Sequence, residues 1–355
     1  MVFLALFAIA LVPAIVGRVW FHGITWKEFA VHLAAIGLVA GSTAAIIYYR
    51  DTSDTEVING VVIGKEQVSV HCRHSYDCNC RRVCSGSGKN RSCRRVCDTC
   101  YEHFNDYDWD VHGSTGTTWS INTVDRQGVI MPPRWASTRV GEPTAETHTY
   151  ENFIKAAPDS LFRYQGLVEK YKGVLPNYPA GVYNYWHLNR VVQVGVNLPD
   201  LDLWNQRLME INGEVGPKKQ VNLAVVVTRK PGDYFYALEE HWVGGKKNDA
   251  ILVIGLDSLN KIAWAEVMTW TVKKTFEVVL EDEIRNMEFD RERILSALRV
   301  NVIKNYRRRP MHDFEYLKAS IVPTSTELTV SSIIALLVSI GLMFAFHYHD
   351  VFGDE

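Results

Sequence analysis

Apolar positions fall into two kinds of pattern along the chain: long unbroken runs near the ends and short, punctuated stretches in the middle. Residues 1–17 carry no charged side chain, and Arg18 closes the run. A second run spans Phe29–Tyr49, and a third spans Leu328–Phe346, again without an ionised group. A helix needs about 20 apolar residues to cross a bilayer. A backbone in hydrocarbon must also satisfy its own hydrogen bonds. The three runs therefore predict transmembrane helices at 1–17, 29–49 and 328–346. For the first run the alternative is a cleaved signal peptide. It lacks a basic leading segment and a second run follows almost at once, which favours a retained helix. For the other two the alternative is a buried core helix. Ala34, Ala35, Gly37, Ala40 and Gly41 would let the second helix pack closely on the first.

Between the membrane runs the period changes. Val57–Ile63 and Glu66–His71 read as short strands, as do Trp109–Val111 and Thr118–Val124. Asp125–Gly128 and Met131–Trp135 read as loops. These stretches predict a small β domain over 52–135. Ala136–His148 is rich in Thr, Pro, Gly and Glu and reads as a linker, opening a connecting region over 136–198. Helical spacing follows at Phe153, Ile154, Leu161, Phe162, Leu167, Val168 and Tyr171, and Val182–Val194 is strand-like.

From 199 to 325 helices and strands alternate. Leu201, Trp204, Leu208 and Ile211 share one helix face, and Asn212-Gly213 is read as the end of that helix. Val221–Thr228 and Ala250–Leu256 are dense apolar strands, as expected when both sheet faces are covered. Tyr234–Trp242 predicts a helix between them, and Lys261–Met268 a returning strand. Two further helices are marked by Phe276–Met287 and by Ile294–Ile303.

The overall charge changes this picture little. The 355 residues carry 38 basic and 40 acidic side chains, for a net charge of −2, which argues against a generally nucleic-acid-binding surface. Near the membrane, Arg50, Lys65, Arg308, Arg309 and Lys318 flank the soluble side, against Arg18 and Lys27 on the other. The positive-inside rule then favours a multi-pass protein with a cytoplasmic soluble region.

Cysteine placement changes it more. All seven cysteines, Cys72, Cys78, Cys80, Cys84, Cys93, Cys97 and Cys100, lie within 29 residues, and His103 follows. Thiolate and imidazole suit zinc, which takes four ligands in structural sites. Eight donors would fill two such sites, and an odd cysteine count fits metal better than a fully paired disulfide set. Disulfides and a redox role for Cys97-x-x-Cys100 stay open beside this reading. Arg73, Arg81, Arg82, Lys89, Arg91, Arg94 and Arg95 accompany the cysteines. They are read as solvating charges that offset the thiolates, in preference to a nucleic-acid or anionic-lipid surface. Asp106, Asp108 and Asp110 alternate and are read as the wet face of a strand, with cation binding as the minor alternative.

The element order over about 199–320 resembles the TPM-domain family, which includes thylakoid-lumen acid-phosphatase-like proteins and bacterial membrane-tethered proteins. Asn248-Asp249-Ala250 stands at the family's turn, Ile251–Gly255 at its buried strand and Asp257 at the following turn aspartate. Glu266 lies on the return strand, and Phe289-Asp290 precedes the last helix. The resemblance implies a mixed sheet flanked by helices. It also implies a calcium or magnesium site drawn from Asp249, Asp257 and Glu266. Met268-Thr269-Trp270 stands where the family has a Gly-Tyr-Gly-like turn, a departure that bears on catalysis.

Together these readings predict an α/β TPM-like module, a zinc-stabilised β domain and three membrane helices. The expected role is a non-enzymatic scaffold or regulator that binds protein partners at a lipid bilayer. A divalent-cation-dependent phosphatase is the alternative. No phosphate-cradling glycine loop or hydrolase signature occurs in the sequence.

Overall fold

The computed structural model describes residues 2–20, 24–86, 88, 91–122, 129–157, 164 and 166–349. The loop expected at Asp125–Gly128, the strand end at Val124 and the helical positions Leu161 and Phe162 lie outside these residues, as does Lys89. In chain order the protein runs through α1 (Val2–Trp20), α2 (Trp26–Thr52), β1 (Ser53–His71), β2 (Ser75–Ser85), β3 (Ser92–Tyr101), β4 (Asn105–Gly113) and β5 (Thr118–Ile121). Then come α3 (Pro133–Ser137), β6 (Pro143–Glu151), α4 (Phe153–Ala156), α5 (Leu167–Lys170), β7 (Val191–Val194), α6 (Leu201–Lys219) and β8 (Asn222–Thr228). The chain continues with α7 (Tyr234–His241), β9 (Asp249–Leu256), β10 (Ile262–Thr269), α8 (Thr275–Arg285) and α9 (Arg291–Asn305). A 3₁₀ helix (Met311–Ser320) and α10 (Ser325–Tyr348) complete it. The protein is thus mixed α/β, with three apolar helices and a small disulfide-bonded cysteine-rich region.

Two compact units divide the chain: residues 1–55, 149–163 and 310–355 form one, and 56–148 and 164–309 the other. In the first, α1, α2 and α10 are the three helices long and apolar enough to cross a membrane. They pack on one another through Ala10, Ala14, Ile36 and Ala335. Gly37 and Gly41 of α2 face Phe7 and Phe3 of α1, where an added Cβ would lie in ordinary contact with the rings at 3.8 and 3.7 Å. Both α2 and α10 start on a capping box. Thr25 Oγ1 accepts from Glu28 N at 3.2 Å, and Glu28 Oε2 accepts from Thr25 N at 2.8 Å; Thr324 and Glu327 repeat the arrangement. Ser339 Oγ donates to the Ala10 carbonyl at 2.6 Å, so His32 Nε2, 3.1 Å from the same oxygen, is the donor in that pair.

The second unit holds two four-stranded sheets. The first has the order β5-β4-β1-β6, and its inner face packs Val62, Trp109 and Val111 against Trp186. β1 is one long strand with an irregularity between Val62 and Gly64, where two short strands were expected. Within the expected linker at 136–148, residues 143–148 belong to β6, an edge of this sheet. Its Thr144 and Ala145 are buried, so polar composition misled there.

The second sheet has the order β10-β9-β8-β7, with β7, β8 and β9 parallel and β10 antiparallel. β8 and β9 are buried along their whole length. On one face α6, α8 and α9 cover Leu223, Val225, Leu252 and Ile254; on the other, α7 covers Ala224, Val226, Ile251 and Val253. Two-sided cover explains the unbroken apolar strands.

α6 corrects one expectation. Asn212-Gly213 does not end the helix, which continues to Lys219. Asn212 is buried and bonds across to β8: its Oδ1 accepts from Leu223 N at 2.8 Å and its Nδ2 donates to Leu223 O at 3.0 Å. Gly213 and Gly216, one turn apart, let β1 approach. A Cβ on Gly216 would sit 2.4 Å from Asn59 Cβ, and one on Gly213 would lie 3.4 Å from the Gly60 carbonyl. The glycines thus serve packing where a stop signal was expected.

Candidate functional site

Six of the seven cysteines lie on a two-stranded antiparallel arm, β2 with β3, inserted between β1 and β4 and paired with neither sheet. No residue of either strand is fully buried. A two-stranded ribbon without a core is marginal in water. Here Cys78–Cys100, Cys80–Cys97 and Cys84–Cys93 bridge the strands as disulfides. Cys84 and Cys93 face each other in register, whereas Cys78 lies diagonally from Cys100, and Cys80 and Cys97 fall within an irregularity between Cys78 and Arg81. Asn79 takes a left-handed φ of 48° there. Direct cross-strand pairs bring Cα atoms close, as a disulfide requires.

This pairing corrects the zinc reading. A disulfide sulfur is not a thiolate, so six of the eight expected ligands are engaged elsewhere, and two four-ligand sites are not what the structure contains. Arg81, Arg82, Arg91, Arg94 and Arg95 are all exposed along the arm. They give it a basic surface, with Asp77 and Asp98 the acidic groups on its strands.

At the root of the arm the remaining donors converge. Cys72 follows β1 directly, is buried, and stands outside the three disulfides. Its thiol donates to the His74 carbonyl across 3.6 Å. His103 lies in the bend between β3 and β4, and Asp106 pairs with Val70 at the start of β4. The thiol, imidazole and carboxylate atoms of Cys72, His103 and Asp106 lie within 4.8 Å of one another. Asp106 therefore differs from its neighbours in the alternating series. Asp108 pairs with Arg73 at 2.6 Å and Asp110 accepts from Ser120 Oγ at 2.6 Å, whereas Asp106 is only 6% exposed.

The acidic residues expected to share a calcium or magnesium ion are not brought together. Asp249 opens β9 and Asp257 follows its end, about 26 Å away at roughly 3.3 Å per residue. Glu266 lies partway along β10, opposite Val253, and pairs with Arg285 at 2.7 Å. Oxygen ligands of one cation lie within about 2.6 Å of it, so these three carboxylates cannot hold a common ion. Asp257 closes its own turn, accepting from Leu259 N and Lys261 N at 2.8 Å each.

Asp249 instead belongs to a buried polar network that the sequence pattern did not flag. Its carboxylate accepts from Asn222 Nδ2 at 2.9 Å, Tyr178 Oη at 2.8 Å and Lys246 N at 2.6 Å. Asn222 Oδ1 accepts in turn from Arg190 Nε at 2.8 Å, and Arg190 Nη2 donates to Asn59 Oδ1. Arg190 is 1% exposed. Asn222 thus links a buried cation to a buried anion. The signal was a single charged residue, Arg190, in the strand-like stretch Val182–Val194. Burial pushes Asp249 from 3.8 up to about 6, and pulls Arg190 down to about 10.

Between about pH 4 and pH 6 the folded protein holds the Asp249 proton more tightly than the unfolded chain does. That stabilisation is complete below pH 3.8 and is lost as pH rises through about 6. At 1.36 kcal/mol per unit the change is about 3 kcal/mol. Thermal unfolding of wild type and Asp249→Asn between pH 4 and 7 measures it. The variant should lack this component of the slope, and an identical slope in both proteins would refute the assignment.

Compared with protein-family models, curated proteins and solved structures, the chain matches none.

Proposed function

We propose that this protein is a membrane-anchored, non-enzymatic scaffold that uses its soluble region to bind a protein partner, and that the basic arm is its contact surface. The observation that carries this reading is the arm itself: an exposed ribbon, stapled three times, bearing exposed arginines and lacking a core of its own. Rigidity fixed in advance lowers the ordering cost of binding, and a cluster of arginines is complementary to carboxylates. The expected partner is therefore an acidic protein segment. The three apolar helices support anchoring in a lipid bilayer by three spans.

Disulfides persist in oxidising compartments and are rare where thiols are kept reduced. They outweigh the loop-charge count and favour a soluble region on the non-cytoplasmic side, since folded domains translocate largely regardless of charge. The TPM resemblance stays a proposal for the α/β module. Its strand and helix alternation supports it, while the separation of Asp249, Asp257 and Glu266 gives the phosphatase reading no site.

The test is binding of the full chain, in lipid nanodiscs, to polyglutamate. Wild type should bind with a steep salt dependence. The variant Arg81→Glu, Arg82→Glu, Arg94→Glu, Arg95→Glu should bind at least about tenfold more weakly, since like-charge juxtaposition costs several kcal/mol. Equal binding by the two would remove the arm from the interaction. Phosphomonoester hydrolysis at ordinary enzyme rates would replace the scaffold reading altogether.

A further inference from the structure

We propose that Cys72, His103 and Asp106 form a single zinc centre that pins the root of the arm. The three side chains come from three different places: the residue after β1, the bend between β3 and β4, and the start of β4. An ion shared among them would tie both ends of the β2–β3 excursion to the first sheet. The chemistry of the set is selective. One thiol, one imidazole and one carboxylate suit a borderline-soft d¹⁰ ion and are a poor set for calcium or magnesium, which take oxygen ligands.

The spacing is compatible. Tetrahedral zinc with bonds of about 2.0–2.3 Å holds its ligand atoms roughly 3.3–3.8 Å apart. The present atoms, all within 4.8 Å, reach that by small side-chain rotations.

Two further observations point to a ligand. Both ring nitrogens of His103 are buried and have no hydrogen-bond partner among the described residues. A buried polar group left unsatisfied costs about 1–3 kcal/mol, and metal ligation through one nitrogen removes part of that cost. Asp106 Oδ1 accepts from Tyr107 N at 2.7 Å, a bond that orients a carboxylate as supporting bonds do for metal ligands. Cys72 is 1% exposed. A thiol so enclosed is poorly placed to act as a nucleophile, and in an oxidising compartment a bound ion would also shield it. Three protein ligands leave the fourth position to water. Binding replaces the Cys72 S–H by an S–Zn bond and releases one proton, with no redox change.

The test uses the full chain purified in detergent without reductant, equilibrated with zinc or cobalt(II) and then desalted. One zinc per chain is expected. The cobalt form should show a sulfur-to-cobalt charge-transfer band in the near ultraviolet. Cys72→Ser should lose the band, and Asp106→Asn should weaken binding while keeping it. In the wild type, with mild denaturant present so that the enclosed thiol is reached, zinc should protect one thiol from alkylation until a chelator is added, which needs no variant to fold. Desalted wild-type protein without zinc or cobalt, and with its single thiol equally reactive in both conditions, would overturn the proposal. Two zinc ions with seven alkylatable thiols would overturn it as well, by returning the disulfide cysteines to metal ligation.

Discussion

Arg190→Ala is expected to destabilise the protein by about 3–5 kcal/mol, because hydrogen bonds to a charged group contribute about 1.5–3 kcal/mol each and buried acceptors left unmet add to the loss. The Arg190 side chain is enclosed and donates to Asn59 Oδ1, Asn222 Oδ1 and the Leu188 carbonyl. Its loss leaves three acceptors without that donor and removes the buried cation that Asn222 links to Asp249. The methylene stem contributes less: a cavity of a few methylenes costs roughly 1 kcal/mol per group, and part of it can collapse. Electrostatics should therefore dominate, and a double-mutant cycle separates the two effects. Asp249→Asn removes the anion, so the pair Arg190→Ala with Asp249→Asn should cost less than the sum of the single changes by at least about 1 kcal/mol. Strict additivity would show that Asn222 passes no coupling between the two charges. Arg190→Lys should recover only part of the loss, because an ammonium cannot reproduce the forked geometry that reaches Asn59 and Asn222 together. Thermal or denaturant unfolding of the full chain in detergent measures all four.

That network marks where sequence reading stopped. The α/β module was legible almost element by element. β8, β9 and β10 lie within a residue of their expected bounds, because fully covered strands read as continuous apolar runs. α8 and α9 were legible from one apolar stripe each. The buried polar residues were not, because their role depends on pairings across the chain. Asn59 meets Asn222 and Arg190 from 131 or more positions away, and nothing local distinguishes it from the turn residue that Asn59-Gly60 suggests. Gly213 failed for a related reason. A glycine that ends a helix and a glycine that admits a neighbouring strand look alike until the neighbour is placed.

The candidate site was half legible. Clustering of the seven cysteines announced a covalent or metal framework, and spacing alone could not choose between them. Both need close pairs, and the choice depends on which residues face each other in the hairpin register. Asp106 was visible only as one member of an alternating acidic series. Its difference from Asp108 and Asp110 comes from the strand end it occupies, beside Cys72, and that is a fact of topology.

The arm's dependence on its disulfides is the second large effect. Reduction should unfold β2 and β3 while leaving the α/β core intact. The bridges close separations of 9, 17 and 22 residues, and on a chain-entropy view a loop of about 15 residues contributes around 3 kcal/mol. No apolar cluster among the described residues includes a β2 or β3 side chain, so little else opposes the entropy of the open ribbon. The core sheet, by contrast, rests on buried aliphatic residues such as Leu223, Val225, Leu252 and Ile254 and holds no cysteine. Limited trypsin digestion reads the difference directly, since Arg81, Arg82, Arg94 and Arg95 are ready cleavage points once their backbone leaves the ladder. Without reductant these sites should resist; with it, cutting within 75–101 should become fast. Amide exchange should rise across the same residues, while β8 and β9 stay protected. An arm that resists trypsin equally well after full reduction must be held by contacts other than its bridges. The pre-ordered surface on which the binding reading rests would then have a different origin.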